Sequence, residues 1–277
     1  MSGRSPDEIW EETLGEGTRR LSRGTLGLAA TGTVGGVDVM FGIVALTIVS
    51  GALAVTQPEQ IAHVAGSLVF GIGFAFVVVG RSELFTENFL VPVGSVLHGS
   101  ATTRSLLRLW SITMLANLAG IMALAAIFTR SGLLPRESLK AAGAVCDTLA
   151  ERDLVAAFLS AVVAGVVMTL FTWLTHATES DIARILLALL IGFVLAAPTM
   201  NHAIVGVGEM GFGLLAGTAR ADWGDLAQNF PVSVAGNLVG GLGFVTLARI
   251  LQVRGEPAPE DEERLAVDRE DRPRALR

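Results

Sequence analysis

Chemistry in this chain concentrates in two short polar inserts, each set in a long apolar stretch: Gly80-Arg81-Ser82-Glu83-Leu84-Phe85-Thr86-Glu87-Asn88 and Pro198-Thr199-Met200-Asn201-His202. They hold carboxylates (Glu83, Glu87), a guanidinium (Arg81), amides (Asn88, Asn201) and an imidazole (His202). Histidine has the unperturbed titration nearest neutrality, so His202 could give a proton to a weak-acid anion and recover it later. A bare anion in an apolar constriction meets a desolvation cost on the order of tens of kcal/mol, whereas its protonated form meets only that of a neutral polar group. The competing role for His202 is structural: an imidazole bridging backbone groups freed where a helix breaks. Non-helical backbone at membrane depth is tolerated only beside protein or a water-filled cavity, so paired breaks point to a permeation path.

The elements that must position these groups are membrane spans. Apolar residues make up 51% of the 277 and charged residues only 17%, and the charges avoid long blocks of sequence, which ordinary soluble domains do not do. Uncharged runs of about 20 residues or more cover 61–80, 109–129, 154–175, 185–208 and 226–248, and a sixth, 24–55, is broken only by Asp38. The predicted fold class is therefore an all-α membrane protein of six transmembrane helices, with the second and fifth broken. Six spans put both termini on one side. Arg4, Arg19, Arg20, Arg23, Arg104, Arg108, Arg184, Arg249 and Arg254 fall on that side, and Arg130, Arg136, Lys140, Arg152 and Arg220 opposite, so the termini are expected in the cytoplasm of a bacterial-type inner membrane. No cleavable signal peptide is expected, since the first apolar run follows a polar segment and continues as a full span.

Three regions follow. Residues 1–23 read as a cytoplasmic amphipathic helix: Ser5-Pro6-Asp7-Glu8 carries an N-cap hydroxyl, proline at the first turn and a carboxylate three residues on, and Ile9, Trp10 and Leu14 give an apolar edge. Residues 24–251 form the six-helix pore domain, and 252–277 a charged, disordered cytoplasmic tail. A repeat is visible within the pore domain, where Leu115-Ala116-Asn117-Leu118-Ala119-Gly120 resembles Ala235-Gly236-Asn237-Leu238-Val239-Gly240. Two three-span halves must insert in opposite orientations, and inverted repeats hold their site at the midplane. Asn117 and Asn237 serve either that site or simple hydrogen bonding between helices. The lone Cys146 excludes an intrachain disulfide and reads as an ordinary loop residue. No metal site is expected: His63 and His98 lie at span edges, and His176 lies in or beside the loop after the fourth span, without a second ligand at helical spacing.

Several ordered motifs carry a family resemblance. Glu83-Leu84-Phe85-Thr86-Glu87-Asn88 resembles the Gly-Glu-Leu-Phe-Thr-x-Asn signature of the formate/nitrite transporter family. Asn201-His202-Ala203-Ile204 resembles its central histidine motif, and Asn229-Phe230-Pro231-Val232 with Gly236-Asn237-Leu238-Val239-Gly240-Gly241 resembles its sixth helix. The opening Ser5-Pro6-Asp7-Glu8 extends the match to about residues 5–251. The resemblance implies an aquaporin-like protomer, a homopentamer with one pore per subunit, and small monovalent anions such as formate, nitrite or hydrosulfide, or their conjugate acids, as the solutes. It places Leu84 and Phe70 at one constriction, Leu195 at the other, and Thr86 opposite His202. Asn201 adjoins that site, and Glu83, Asn88, Glu209, Asn117 and Asn237 are expected to hold its loops.

This chain departs from the family in places. Asn201 stands where relatives carry Glu, Gly165 where they carry asparagine, and Leu149 near an expected lysine, so anion attraction is weaker on paper. Arg81 replaces a small residue and Asp38 adds a carboxylate to the first span, so the two are expected to pair. A pore for small neutral solutes is the alternative within transport. A membrane-embedded enzyme using Glu83, Glu209 and His202 fares worse: no activated nucleophile, metal cluster or phosphate loop is visible, no cofactor is implied, and nothing suggests nucleic acid as a partner. A scaffold fares worse too, because polar breaks are costly to keep.

Overall fold

The computed structural model describes residues 4–255, and every regular element among them is helical. In chain order these are α1 (Pro6–Ser22), α2 (Thr25–Ala54), α3 (Glu59–Phe70), α4 (Ile72–Gly80), a 3-10 turn (Phe85–Phe89), α5 (Val91–Leu97), α6 (Thr103–Phe128), α7 (Arg136–Ala150), α8 (Leu154–His176), α9 (Asp181–Ala196), α10 (Ala203–Ala216), α11 (Trp223–Leu238), a π-helical stretch (Val239–Thr246) and α12 (Leu247–Gly255). Five helical runs are long and apolar enough to cross a membrane: Thr25–Ala54, Glu59–Gly80, Thr103–Phe128, Leu154–His176 and Trp223–Gly255. α9 and α10 are shorter, separated by residues 197–202.

Local chemistry sets the helix starts. Ser5 accepts from the Glu8 amide while the Glu8 carboxylate accepts from the Ser5 amide, and Pro6 begins α1, whose missing N–H costs nothing in a first turn. Asp153 caps α8 through the Val155 and Ala156 amides, and Asp222 caps α11 through those of Gly224 and Asp225.

Two corrections concern the connecting segments. Cys146 does not lie in a loop: it is buried in α7, which packs on α10. Arg136–Ala150 is too short and too polar to read as a span, yet its small apolar face lies against Gly213, where a Cβ would come within 2.8 Å of Ala142 O and Cys146 Cβ. At the other end, residues 252–255 continue α12 rather than beginning the tail, and the rest of the expected tail, 256–277, lies outside the described residues.

The two halves pack alike. α2 lies on α6 and α8 on α11, while α1 lies on α5 and α7 on α10. A Cβ at Gly36 would meet Asn117 O at 2.1 Å, and one at Gly165 would meet Asn237 O at 2.2 Å. Neither position therefore has room for a side chain.

Candidate permeation site

Each polar insert is held by one asparagine in the same way. Asn117, from α6, donates to Gly32 O (2.7 Å) and Glu83 O (2.8 Å) and accepts from the Phe85 amide (2.8 Å). Asn237, from α11, donates to Ala161 O (2.7 Å) and Asn201 O (3.1 Å) and accepts from the Ala203 amide (2.9 Å). Both are fully buried, and each spends its whole amide on backbone: one carbonyl and one amide that its break leaves unpaired, and one carbonyl of the helix alongside. The backbone repeats too. Arg81 and Thr199, each two residues before the contacted carbonyl, are the two non-glycine residues with positive φ among the described residues, at 56° and 53°.

This correspondence reaches back to the start of each half. Arg23 donates to Thr31 Oγ1 (3.2 Å) and to the Glu83 carboxylate (2.5 Å). Arg152 donates to Ser160 Oγ (3.3 Å) and, in place of a carboxylate, to Pro198 O (3.0 Å). Asn201, at the position matching Glu83, forms a reciprocal amide pair with Asn229 (2.8 and 2.9 Å) and also donates to Ala157 O. Its side chain is thus occupied by protein groups rather than turned to a solute. Arg152, Ser160 and Asn229 were not among the expected site residues; the common spacing of Arg23 to Thr31 and Arg152 to Ser160 is the signal that finds them.

The two breaks meet through His202 and Thr86. His202 Nε2 and Thr86 Oγ1 are 2.8 Å apart, both fully buried. His202 also caps α10: its Nδ1 accepts from the amides of Ile204 (3.2 Å) and Val205 (3.1 Å). An Nδ1 that accepts from two amides carries no proton, which assigns the ring proton to Nε2 and makes Thr86 the acceptor. Leu84, Phe70 and Leu195 are buried in one apolar cluster with Phe74, Phe85 and Phe89.

The remaining expected residues fall as follows. The Asp38–Arg81 ion pair does not form: Ser82 brings its hydroxyl to Asp38 Oδ2 at 2.7 Å, and Arg81 has no carboxylate within ion-pair distance among the described residues. Asn88 accepts from Arg20 and donates to Leu84 O, and Glu87 accepts from the Leu84 amide (3.4 Å). Glu209 is buried in α10, its Oε2 without a donor. His63 is half-buried and lies against Ala196 O and Thr199 Oγ1, while His176 ends α8 with Nδ1 on Thr172 O.

A cavity adjoins each break. One of about 220 Å³ lies beside α1 and is lined in part by Arg20, Arg81, Glu83 and His176. The other, about 1050 Å³, lies beside α7 and includes His63, Thr199, Asp147 and Arg220. α1 is stapled over the smaller one by Arg20, which reaches both Glu16 and Asn88, and by Arg4, which bonds Glu12, Glu179 and His176 O.

With that geometry in hand, the relatives are informative. The family described as formate/nitrite transporter matches residues 7–251. A formate channel of Bacillus thuringiensis, BtFdhC, is 25% identical over 257 residues, covering 90% of this chain and 95% of the relative. Among solved structures, one described as an FNT family ion channel superposes with a TM-score of 0.77 at 18% identity, over 88% of this chain and 98% of its own. A pentameric formate channel with formate bound gives 0.69 at 20% identity, over 82% and 96%. At such identities these two structures establish a shared fold.

Proposed function

Because the chain belongs to the formate/nitrite transporter family, which comprises channels and transporters rather than enzymes, we propose that it is a pore for a small monovalent anion such as formate or nitrite, or its conjugate acid. In this reading six spans, the second and fifth broken, form an aquaporin-like inverted repeat in an inner membrane, with both termini cytoplasmic. A homopentamer with one pore per subunit is the assembly, as the solved pentameric formate channel suggests. Leu84 and Phe70 narrow one side of the path and Leu195 the other.

The observation that carries the proposal is the Thr86–His202 contact, which joins the two breaks inside an apolar cluster. A solute reaching this point replaces Thr86 as acceptor of the Nε2–H. Proton exchange at His202 then depends on the α10 cap, since a second ring proton at Nδ1 displaces the amides of Ile204 and Val205 before Nε2–H can pass to an anion. Arg152, which has no carboxylate partner among the described residues, supplies positive charge beside the second break in place of the missing lysine. One observation favours the second reading, a neutral-solute pore: with Nδ1 fully engaged, the resting imidazole is an uncharged donor.

Flux of formate, nitrite and urea into proteoliposomes across a pH series separates the two. Anion flux that rises with acidity and is lost in His202→Phe supports the proposal. Unchanged anion flux in that variant overturns the histidine's role, and urea flux alone selects the neutral pore.

A further inference from the structure

The turn that ends α9 is held from both halves of the chain. Within the second half, the Thr199 amide donates to Ala196 O (2.9 Å), the Met200 amide to Leu195 O (2.9 Å), and Arg152 to Pro198 O (3.0 Å). From the first half comes His63 of α3, whose Nε2 lies 3.1 Å from Ala196 O and 3.2 Å from Thr199 Oγ1. A carbonyl oxygen only accepts, so Nε2 carries the ring proton and donates to Ala196 O, with Thr199 Oγ1 close enough to share the same N–H. The carbonyls of a helix's last turn lack partners within the helix, and His63 is thus a C-terminal cap lent to α9 by another span.

Thr199 is β-branched and sits at a φ of 53°, a conformation that such residues keep only where their surroundings hold it. The turn also lies between two groups assigned to the path: Leu195 directly precedes Ala196, and His202 follows Thr199 by three residues. We propose that His63 is a positioning residue for permeation, a tether from α3 that fixes the turn at 196–199 and so sets the width of the path between Leu195 and His202. The inference rests on the permeation reading and deepens it by naming a residue that decides how large a solute the second break admits. Thr86 and His202 join the halves where the breaks meet, and His63 adds a second link at the wall of the 1050 Å³ cavity, which His63 and Thr199 both line. Without the Nε2–H, second-half contacts alone hold the turn, and Thr199 relaxes toward that cavity.

The test uses the full chain in proteoliposomes at one fixed pH, with formate and acetate, which differ by a methyl group, as paired probes. His63→Leu keeps the bulk and removes the donor, and should raise the acetate-to-formate rate ratio about fivefold, the effect of one net hydrogen bond. His63→Gln, whose amide nitrogen reaches the place of Nε2, should restore the ratio. A role in stability alone lowers the yield of protein without moving the ratio. An unchanged ratio in His63→Leu overturns the proposal, as does a raised ratio that His63→Gln leaves raised. Should His63→Leu fail to assemble, His63→Asn, whose amide ends one bond nearer the backbone, takes its place with the same two outcomes. A second readout is independent of flux. Ala197 lines the same cavity and the native Cys146 is buried, so the reaction of Ala197→Cys with a water-soluble thiosulfonate reports on the turn. Its labelling rate should rise several-fold when His63→Leu is added and fall back with His63→Gln, and equal rates overturn the tether. A wild-type protein that passes neither solute overturns the permeation reading, and the labelling rates then decide the tether alone.

Discussion

The two breaks share a scaffold but not an electrostatic design. Around each, an asparagine from the following long helix ties together two carbonyls and one amide, and a left-handed residue turns the chain. At the first break the arginine brought by the preceding segment meets a carboxylate, Glu83. At the second the equivalent arginine, Arg152, meets Ser160 and a carbonyl, and the position of the carboxylate is taken by Asn201 in an amide pair with Asn229. The backbone solution to a broken helix is thus fixed, because every freed N–H and C=O must be satisfied, while the charge beside it is free to vary and tune what passes.

The largest effect should come from the shared part. Asn117→Ala and Asn237→Ala each leave one carbonyl and one amide of a break buried without partners, and both should cost roughly 2–6 kcal/mol of stability in detergent unfolding titrations. A loss at one site only would break the equivalence. The charged part should split the halves. Arg23→Gln leaves Glu83 with Arg20 alone and should cost roughly 2–4 kcal/mol, whereas Arg152→Gln, which touches only neutral groups, should cost under about 1 kcal/mol while lowering anion flux. Equal costs would mean that the Arg23–Glu83 contact contributes no more than the neutral contacts of Arg152. Thr86→Val removes the contact between the breaks and should cost about 1 kcal/mol, with a larger change in the pH profile of flux than in thermal stability. An unchanged profile would detach Thr86 from the conduction path.

The smallest effects concern the two surface helices. Burial pushes Glu16 of α1 up, but the hydrogen bonds and charges of Arg19 and Arg20 outweigh it and hold the carboxyl at about 2, against an ordinary value of 4.5. Burial likewise pushes Asp147 of α7 up, and the amides of Ala221 and Arg220 with the Arg220 guanidinium bring it below its ordinary 3.8. Both carboxyls titrate lower in the folded protein than in the unfolded chain. Their contribution is therefore fully present above those ordinary values and drains away as pH falls through the folded ones. Thermal melts should be flat from pH 7 to pH 5 on account of these groups and decline only below, with Glu16→Gln removing part of the decline. A melt midpoint already dropping near pH 6 in wild type but not in Glu16→Gln would contradict the strong anchoring of α1.

Much of this arrangement is legible in the sequence, and its limits have physical causes. The polar inserts stand out because charge is rare in apolar runs, and the asparagine repeat stands out because small residues flank both copies. The link between α1 and α7 is hidden: Pro6 corresponds to Pro135 and Arg23 to Arg152, but the apolar faces of these helices are short and their other residues have diverged. The partner of Asp38 is hidden for a different reason. Charge counting nominates Arg81, whereas the neighbouring hydroxyl of Ser82 suffices once the chain turns. The His202 proton lies beyond sequence altogether, since the tautomer is set by the two amides at the start of α10.

The position of α7 bears on how the chain divides. It resembles an inserted connector between two long helices, but its counterpart in packing is the helix that opens the described chain, so the seam between the two similar units falls in residues 129–135. Each unit carries its own surface helix, its own broken segment and its own tethering asparagine. Severing the polypeptide at this seam separates no residue from its own unit, and two co-expressed fragments should find one another through the same contacts that now form within a single chain.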